Sequence, residues 1–246
     1  MSNDLPSQAE QDYLKAIYHL GQQTDGEPVH TMALATWLDV SPPSATNMVK
    51  KMAERGFVAH CHYRGVTLTP IGERIALEVL RHHRLLEMYL HAQLGVPWER
   101  VHAEADRLEH ALSEDLEDRI DAALGHPTTD PHGAPIPTKA GTIARPAEQA
   151  LWTIPPGAVV TVVEVADEDA ALLSYVADLG LLPGARMEVL AKAPFDGPIQ
   201  IRVGENEYAL GETVARAIAV VIADREVHTE AGSRKAGNIT GRTSAK

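Results

Sequence analysis

His102, Asp106, Glu109 and His110 carry nitrogen and oxygen donors at offsets of 0, 4, 7 and 8 along the chain. At about 100° per residue such offsets fall on one face of a helix. His83 and Glu87, four residues apart, form a second stripe of the same kind upstream. A divalent metal needs several oxygen or nitrogen donors converging on one point, and two facing stripes would supply them. Acids alone on an amphipathic helix ordinarily mean a solvated face; two imidazoles at the offsets that bring them beside those acids reverse that reading. His82 and His91 lie near this second stripe and are read as surface residues, as are His30, His60, His62 and His126.

The stripes require long helices, and the apolar periodicity predicts one from Ile71 to about Leu94 and another from about Pro97 to Leu124. Leu77, Leu80, Leu85, Met88, Tyr89, Leu94, Leu108, Leu112, Leu116 and Ile120 give these helices more apolar surface than a small domain covers, which predicts a homodimer. Upstream, residues 8–22 read as a helix. Thr31 is placed to cap a second and Ser41 a third, with prolines in its first turn where backbone N–H groups are free. FVAHCHYRGVTLTPIG then reads as strand, turn at Arg64-Gly65, and strand. Three helices and a two-stranded ribbon make the winged helix-turn-helix order. In that arrangement Ser41, Pro43, Ser44, Thr46 and Asn47 occupy the end of the third helix that reads base edges, while Lys50, Lys51, Arg55 and Arg64 would hold phosphates. A winged helix used only for protein contacts is the alternative.

Residues 125–156 are rich in proline, glycine and threonine and read as a linker partly ordered against the helices. β-rich runs follow, separated by glycine turns and one short helix, and predict a small antiparallel barrel resembling SH3 domains. The expected fold is mainly α with β. A DNA-binding domain spans 1–74, a helical metal-binding and dimerisation domain 75–144, a linker 145–156, the SH3-like domain 157–224, and a disordered tail 225–246.

With 246 residues, 44% of them hydrophobic, the chain has room for two or three small domains. It has no apolar run near the roughly 20 residues that cross a bilayer and no signal-peptide pattern at its start. Its one cysteine, Cys61, excludes an internal disulfide framework, and a cytoplasmic location is expected. A net charge of −12 argues against non-specific nucleic-acid binding by the whole molecule. Locally the balance reverses: Lys50, Lys51, Arg55, Arg64 and Arg74 face only Glu54 and Glu73 between Ser41 and Arg74. The rival from another class is a metallohydrolase, since His-x-x-x-Glu and Glu-His pairs occur there too. Against it, the sequence holds no HExxH, nucleophile elbow, phosphate loop or dinucleotide fingerprint, so no small organic substrate is expected.

The segments QDYLKAIYHL, VSPPSATNMVKKMAERGFV, YRGVTLTPIG, RHHRLLEMYL, VHAEADRLEHALSEDLEDRI and DPHGAPIP together resemble the diphtheria-toxin-repressor family of metal-dependent regulators, in its manganese-responsive branch, over roughly residues 8–224. The resemblance implies two neighbouring metal sites. Asp12, Asp106, Glu109 and His110 match the primary ligands. His83, Glu87 and His102 match the ancillary ones, to which the SH3-like domain would add Glu164 and Asp167; exposed acids at a strand end are the alternative for those two. Iron-sensing members carry methionine and cysteine at the positions of Asp12 and Asp106. Carboxylates there suit Mn(II), although affinity order alone would let Fe(II), Co(II) or Zn(II) compete. In short manganese-sensing members a further acid of the first helix completes a paired-metal site; here that position is Lys15, which favours two separate sites. The family implies a homodimeric repressor of metal-uptake genes that binds palindromic double-stranded operator DNA when loaded with Mn(II). An Fe(II)-responsive regulator of the same family and a metal-independent winged-helix regulator remain open at this point.

Overall fold

The computed structural model describes residues 5–24, 26–61, 64–144 and 147–223. The expected disordered tail, His62 and residues 145–146 lie outside them. Helix α1 (Gln8–Gln23) opens with a capping box in which Ser7 and Glu10 satisfy each other's backbone N–H groups. Helices α2 (Thr31–Trp37) and α3 (Pro42–Glu54) follow, then β1 (Val58–Cys61) paired antiparallel with β2 (Gly65–Leu68). Ser41 caps α3 by accepting from the Ser44 N–H, ahead of two prolines in the first turn. The cap of α2 falls on His30 rather than Thr31, because Val29 is pinned in extended form by paired backbone bonds to Val66, and the helix starts as soon as that bridge ends. Leu14, Leu34, Ala45, Val49 and Met52 close the core of this unit.

Beneath that core Glu10 is fully buried and bonds the Arg55 guanidinium at 2.5 Å, with Lys51 Nζ 3.4 Å away. Burial works against the carboxylate, but the hydrogen bonds from Arg55 and Ser7 outweigh it and hold its pKa at about 2. Replacing Glu10 with alanine strands Arg55 and is expected to cost about 3 kcal/mol at pH 7. Because the folded pKa lies below the ordinary 4.5, the contribution is complete above that value and is lost as pH falls towards 2. Urea melts of both proteins across that window should therefore converge; a gap independent of pH would show that the pair contributes nothing.

Helix α4 (Pro70–Leu94) runs without interruption from the wing into the second unit and ends at Gly95 in the left-handed conformation. The expected continuous helix from Pro97 to Leu124 is broken. Helix α5 (Val101–Leu108) passes into a 3-10 turn (Glu109–Ala111), Leu112 is extended, and α6 (Glu114–Ala123) restarts with Ser113 as its cap. A serine able to cap the Leu116 N–H makes the restart cheap, and the tighter turn rotates Glu109 inward. His82, expected at the surface, is buried: its Nδ1 meets the Glu109 carbonyl and its Nε2 the Glu117 carboxylate, which also pairs with buried Arg81. Leu77, Leu80, Leu85 and Ile120 are consumed inside the protomer, whereas Leu94, Leu108 and Leu116 stay exposed.

The residues expected as linker are built into the structure. Ala134 and Ile136 are buried in the loop that follows α6. Gln149–Ala150 forms β3, and Leu151, Trp152 and Ile154 belong to the C-terminal core. That domain therefore starts earlier than residue 157. Its antiparallel sheet adds β4 (Val159–Val165), β5 (Arg186–Lys192), β6 (Ile199–Val203), β7 (Asn206–Leu210) and β8 (Ile218–Ile222) in the order β3-β8-β4-β5-β6-β7, with helices α7 (Ala170–Asp178) and α8 (Glu212–Arg216). A bulge shifts the β4–β8 register between Val162 and Glu164.

Candidate metal centre

Asp12 on α1 is 2.8 Å from His110 Nε2 across the gap to the helical unit. The other ring nitrogen, Nδ1, lies 2.6 Å from Gln11 Oε1, an acceptor; it therefore carries the proton and leaves Nε2 to face Asp12. Glu109 completes this group from the 3-10 turn, with its Oε1 3.5 Å from His110 Nε2. Burial pushes the Asp12 carboxyl up despite His110 beside it. Glu109 also faces the other way: its Oε2 is 2.5 Å from His83 Nδ1, and Asp106 Oδ1 is 3.3 Å from the same nitrogen. Lys15 Nζ sits between these acids.

Deeper in, His83 Nε2 meets Glu87 Oε1 at 2.9 Å, and His102 Nδ1 lies 3.2 Å from Glu87 and 3.4 Å from Asp167 Oδ2. These four side chains hold one donor atom each within 4.8 Å of one another. Burial pulls the His102 imidazole down, but its bonds to Asp167 and Glu87 prevail and raise it to about 10. His83 is likewise held well above its ordinary value by Glu87, against its burial.

Two contributors escaped sequence reasoning. Glu87 and Asp167 form a second group with Asp130 and His132, both on the loop after α6 and both buried. Asp130 Oδ1 accepts from the N–H groups of His132 and Ala134, which folds the DPHG turn around the carboxylate. His132 donates from Nε2 to the Trp98 carbonyl at 3.0 Å, so its Nδ1 lone pair points among the acids, 3.9 Å from both Glu87 and Asp167. Among the described residues Glu87 Oε2, Asp130 Oδ2 and His132 Nδ1 are buried with no hydrogen-bond partner. Burial and neighbouring Glu87 push the Asp130 carboxyl well up. Orphaned lone pairs of three buried side chains, all oxygen or imidazole nitrogen, are what a hard or borderline divalent cation would satisfy. The residues fit such an ion.

Glu164 lines the cavity beside this centre but belongs to none of these ligand groups. Gly133 lets the loop seat there. Its φ of +94° and the 1.8 Å that would separate a Cβ from the Val163 carbonyl exclude any side chain.

In the N-terminal unit, Pro43, Ser44, Asn47, Lys50, Lys51 and Arg64 are exposed. Ser41 Oγ is engaged with Ser44, and Thr46 Oγ1 donates to the Pro42 carbonyl, so both serve the helix start. Arg55, expected on a phosphate, is turned inward to Glu10 and stacks 4.6 Å over Phe57.

Three family descriptions match the chain in succession: "Iron dependent repressor, N-terminal DNA binding domain" over residues 5–66, "Iron dependent repressor, metal binding and dimerisation domain" over 69–138, and "FeoA domain" over 150–222. The iron-dependent repressor IdeR of Mycobacterium leprae is 35% identical over 230 residues, covering 89% of this chain and 98% of that protein. The regulator MntR of Lysinibacillus sphaericus is 36% identical over 116 residues, 47% of this chain and 81% of that one. Among solved structures, a manganese-dependent transcriptional repressor in complex with manganese is 41% identical, with a TM-score of 0.82 over 87% of this chain and all of that one. The manganese regulator SloR gives 29% and 0.74, covering 87% of this chain and 98% of that one. With a winged reading head, a donor-rich helical unit and an SH3-like domain in that order, the chain belongs to the diphtheria-toxin-repressor family of metal-dependent, DNA-binding transcriptional repressors.

Proposed function

We propose that this chain is a Mn(II)-activated repressor of metal-uptake genes, acting as a homodimer on palindromic operator DNA. The observation that carries the reading is the donor set. Asp12, Asp106, Glu109 and His110 on one side, and His83, Glu87, His102, Asp130, His132 and Asp167 on the other, offer oxygen and imidazole and no sulfur. The likeness to a manganese-dependent repressor at 41% identity supports the same ion. Fe(II) is the second reading, favoured by the 35% identity to an iron-dependent repressor along almost its whole length.

A bound divalent ion would supply positive charge shared by carboxylates of different domains. Asp12 brings α1, and with it the reading head, to the helical unit, while Asp167 brings in the SH3-like domain. Mutual repulsion of Asp12, Asp106 and Glu109 opposes that closed arrangement and is relieved when a cation is shared, a shift of population towards the closed state. Closure fixes the spacing of two α3 helices, which must reach successive major grooves about 34–36 Å apart. Pro43, Ser44 and Asn47 are the side chains exposed towards base edges, with Lys50, Lys51 and Arg64 for phosphates. Lys50→Ala is accordingly expected to weaken binding to all sequences alike and to reduce the salt slope by about one. A change confined to one operator position would instead make Lys50 a base reader.

The testing experiment is retention of fragmented genomic DNA by purified protein under anaerobic conditions, with Mn(II), with Fe(II) and with chelator. Discrete fragments held with Mn(II) alone support the proposal; equal retention in chelator overturns metal dependence, and preference for Fe(II) moves the chain to the iron branch.

A further inference from the structure

Lys15 projects from α1 into the middle of the candidate metal centre. Its Nζ donates to Asp106 Oδ1 at 2.8 Å and to both oxygens of Glu109 at 2.7 and 2.9 Å, with His83 Nδ1 3.5 Å away. The three partners are themselves a group whose donor atoms converge closely enough to hold a metal ion. The ammonium thus stands in a cation seat and occupies both oxygens of Glu109, the acid that would also serve the ion beside Asp12 and His110.

We infer that Lys15 is a built-in competitor of the metal, a tethered monovalent cation that must leave Asp106 and Glu109 before the position shared with Asp12 and His110 can fill. This rests on the metal-regulator reading above and concerns how that site is set. A divalent ion on Glu109 and an ammonium on the same carboxylate repel each other across a few ångströms of partly buried space, where charge interactions are strong. The displaced side chain has somewhere to go. Lys15 lines a cavity of about 800 Å³ whose other walls include Glu148, Glu164 and Glu168 from the C-terminal domain. Leaving the seat therefore moves the ammonium from one set of acids towards another. The deeper position differs in kind: among the described residues Glu87, Asp130 and His132 present donors without hydrogen-bond partners there, and the cation nearest to Asp130 is the Arg84 guanidinium, 3.5 Å from its Oδ2. The two positions should then differ in affinity, the one plugged by Lys15 being the weaker and setting the metal level at which α1 is captured.

The test is calorimetric titration of the full-length dimer with Mn(II) for the wild type, Lys15→Met, Lys15→Gln and Lys15→Arg, each first checked by circular dichroism and thermal melting without metal. The wild type should show a tighter and a weaker step. Lys15→Met and Lys15→Gln should tighten the weaker step by about tenfold or more, leave the tighter one within about threefold, and lower the metal-free melting temperature as Asp106 and Glu109 lose their shared cation. Lys15→Arg, which keeps the charge, should titrate like the wild type. A weaker step unchanged or further weakened in both neutral variants, with cooperative melts, overturns the competitor role while leaving the metal reading intact. A wild type that takes up no Mn(II) at all overturns the metal reading itself.

Discussion

Glu109→Gln is expected to abolish metal-dependent DNA retention and to weaken Mn(II) binding at the position shared with Asp12 and His110 by about 100-fold or more, a loss larger than the 10–100-fold typical of groups that only orient ligands. Glu109 is 1% exposed and stands at the junction of the two candidate groups, within 2.5 Å of His83 and 3.5 Å of His110 while accepting from Lys15. Glutamine keeps the volume and one acceptor oxygen but removes the charge that both cations require. The fold should survive with a lower metal-free melting temperature: the backbone carbonyl still receives His82, but the carboxylate's charge no longer pairs with Lys15 and His83. A cooperative metal-free melt, combined with loss of the weaker Mn(II) step and of DNA fragments, is the expected pattern. Retained metal dependence with unchanged affinity would remove Glu109, and with it the whole primary group, from the ligand set.

The second large effect is expected at His132. Alanine there should delete the deeper binding step, so that titration with Mn(II) shows one ion per chain in place of two. The imidazole is fully buried, its tautomer is fixed by the Trp98 carbonyl, and its Nδ1 has no hydrogen-bond partner among the described residues. Removing it also leaves a cavity, so a lower melting temperature is expected. What separates a ligand from a packing residue is the difference between melts with and without metal. In the wild type Mn(II) should raise the melting temperature through both positions. His132→Ala should keep only the part contributed by Asp12, Glu109 and His110. If the metal-induced rise is undiminished, His132 only packs.

Where periodicity carried the information, the sequence was readable. His83 and Glu87 share a face of one long helix, and His102 and Asp106 share a turn of another, so helical spacing alone brought them together. The winged helix was legible from its caps and its ribbon: Ser41 ahead of two prolines, and Gly65 at the hairpin. The break after Ala111 was not, because Leu112 and Ser113 continue a plausible apolar stripe and only the capping bond from Ser113 marks the restart. Asp130 and His132 were invisible to helical spacing since they sit in a proline- and glycine-flanked turn; the available signal was an Asp-Pro-His-Gly sequence, in which an aspartate organises the backbone two and four residues on. The same composition disguised Leu151, Trp152 and Ile154 as linker, though three large apolar residues within four positions seldom belong to one. Arg55 misled because charge on a recognition helix reads as outward-facing, and nothing local reveals that Glu10, 45 residues earlier, lies buried beneath it.

Gly133 and the Val163 carbonyl meet with no room for a methyl group between them, while the Val165 N–H donates to the His132 carbonyl at 2.9 Å. The seam between the second and third domains thus runs through the very turn that carries His132. Modules joined by a tether can be exchanged between relatives; the close seat of Gly133 on the Val163 carbonyl works against such an exchange here. A C-terminal domain grafted from another member would have to reproduce the bulged strand's path to within a fraction of an ångström or tilt an imidazole in its neighbour.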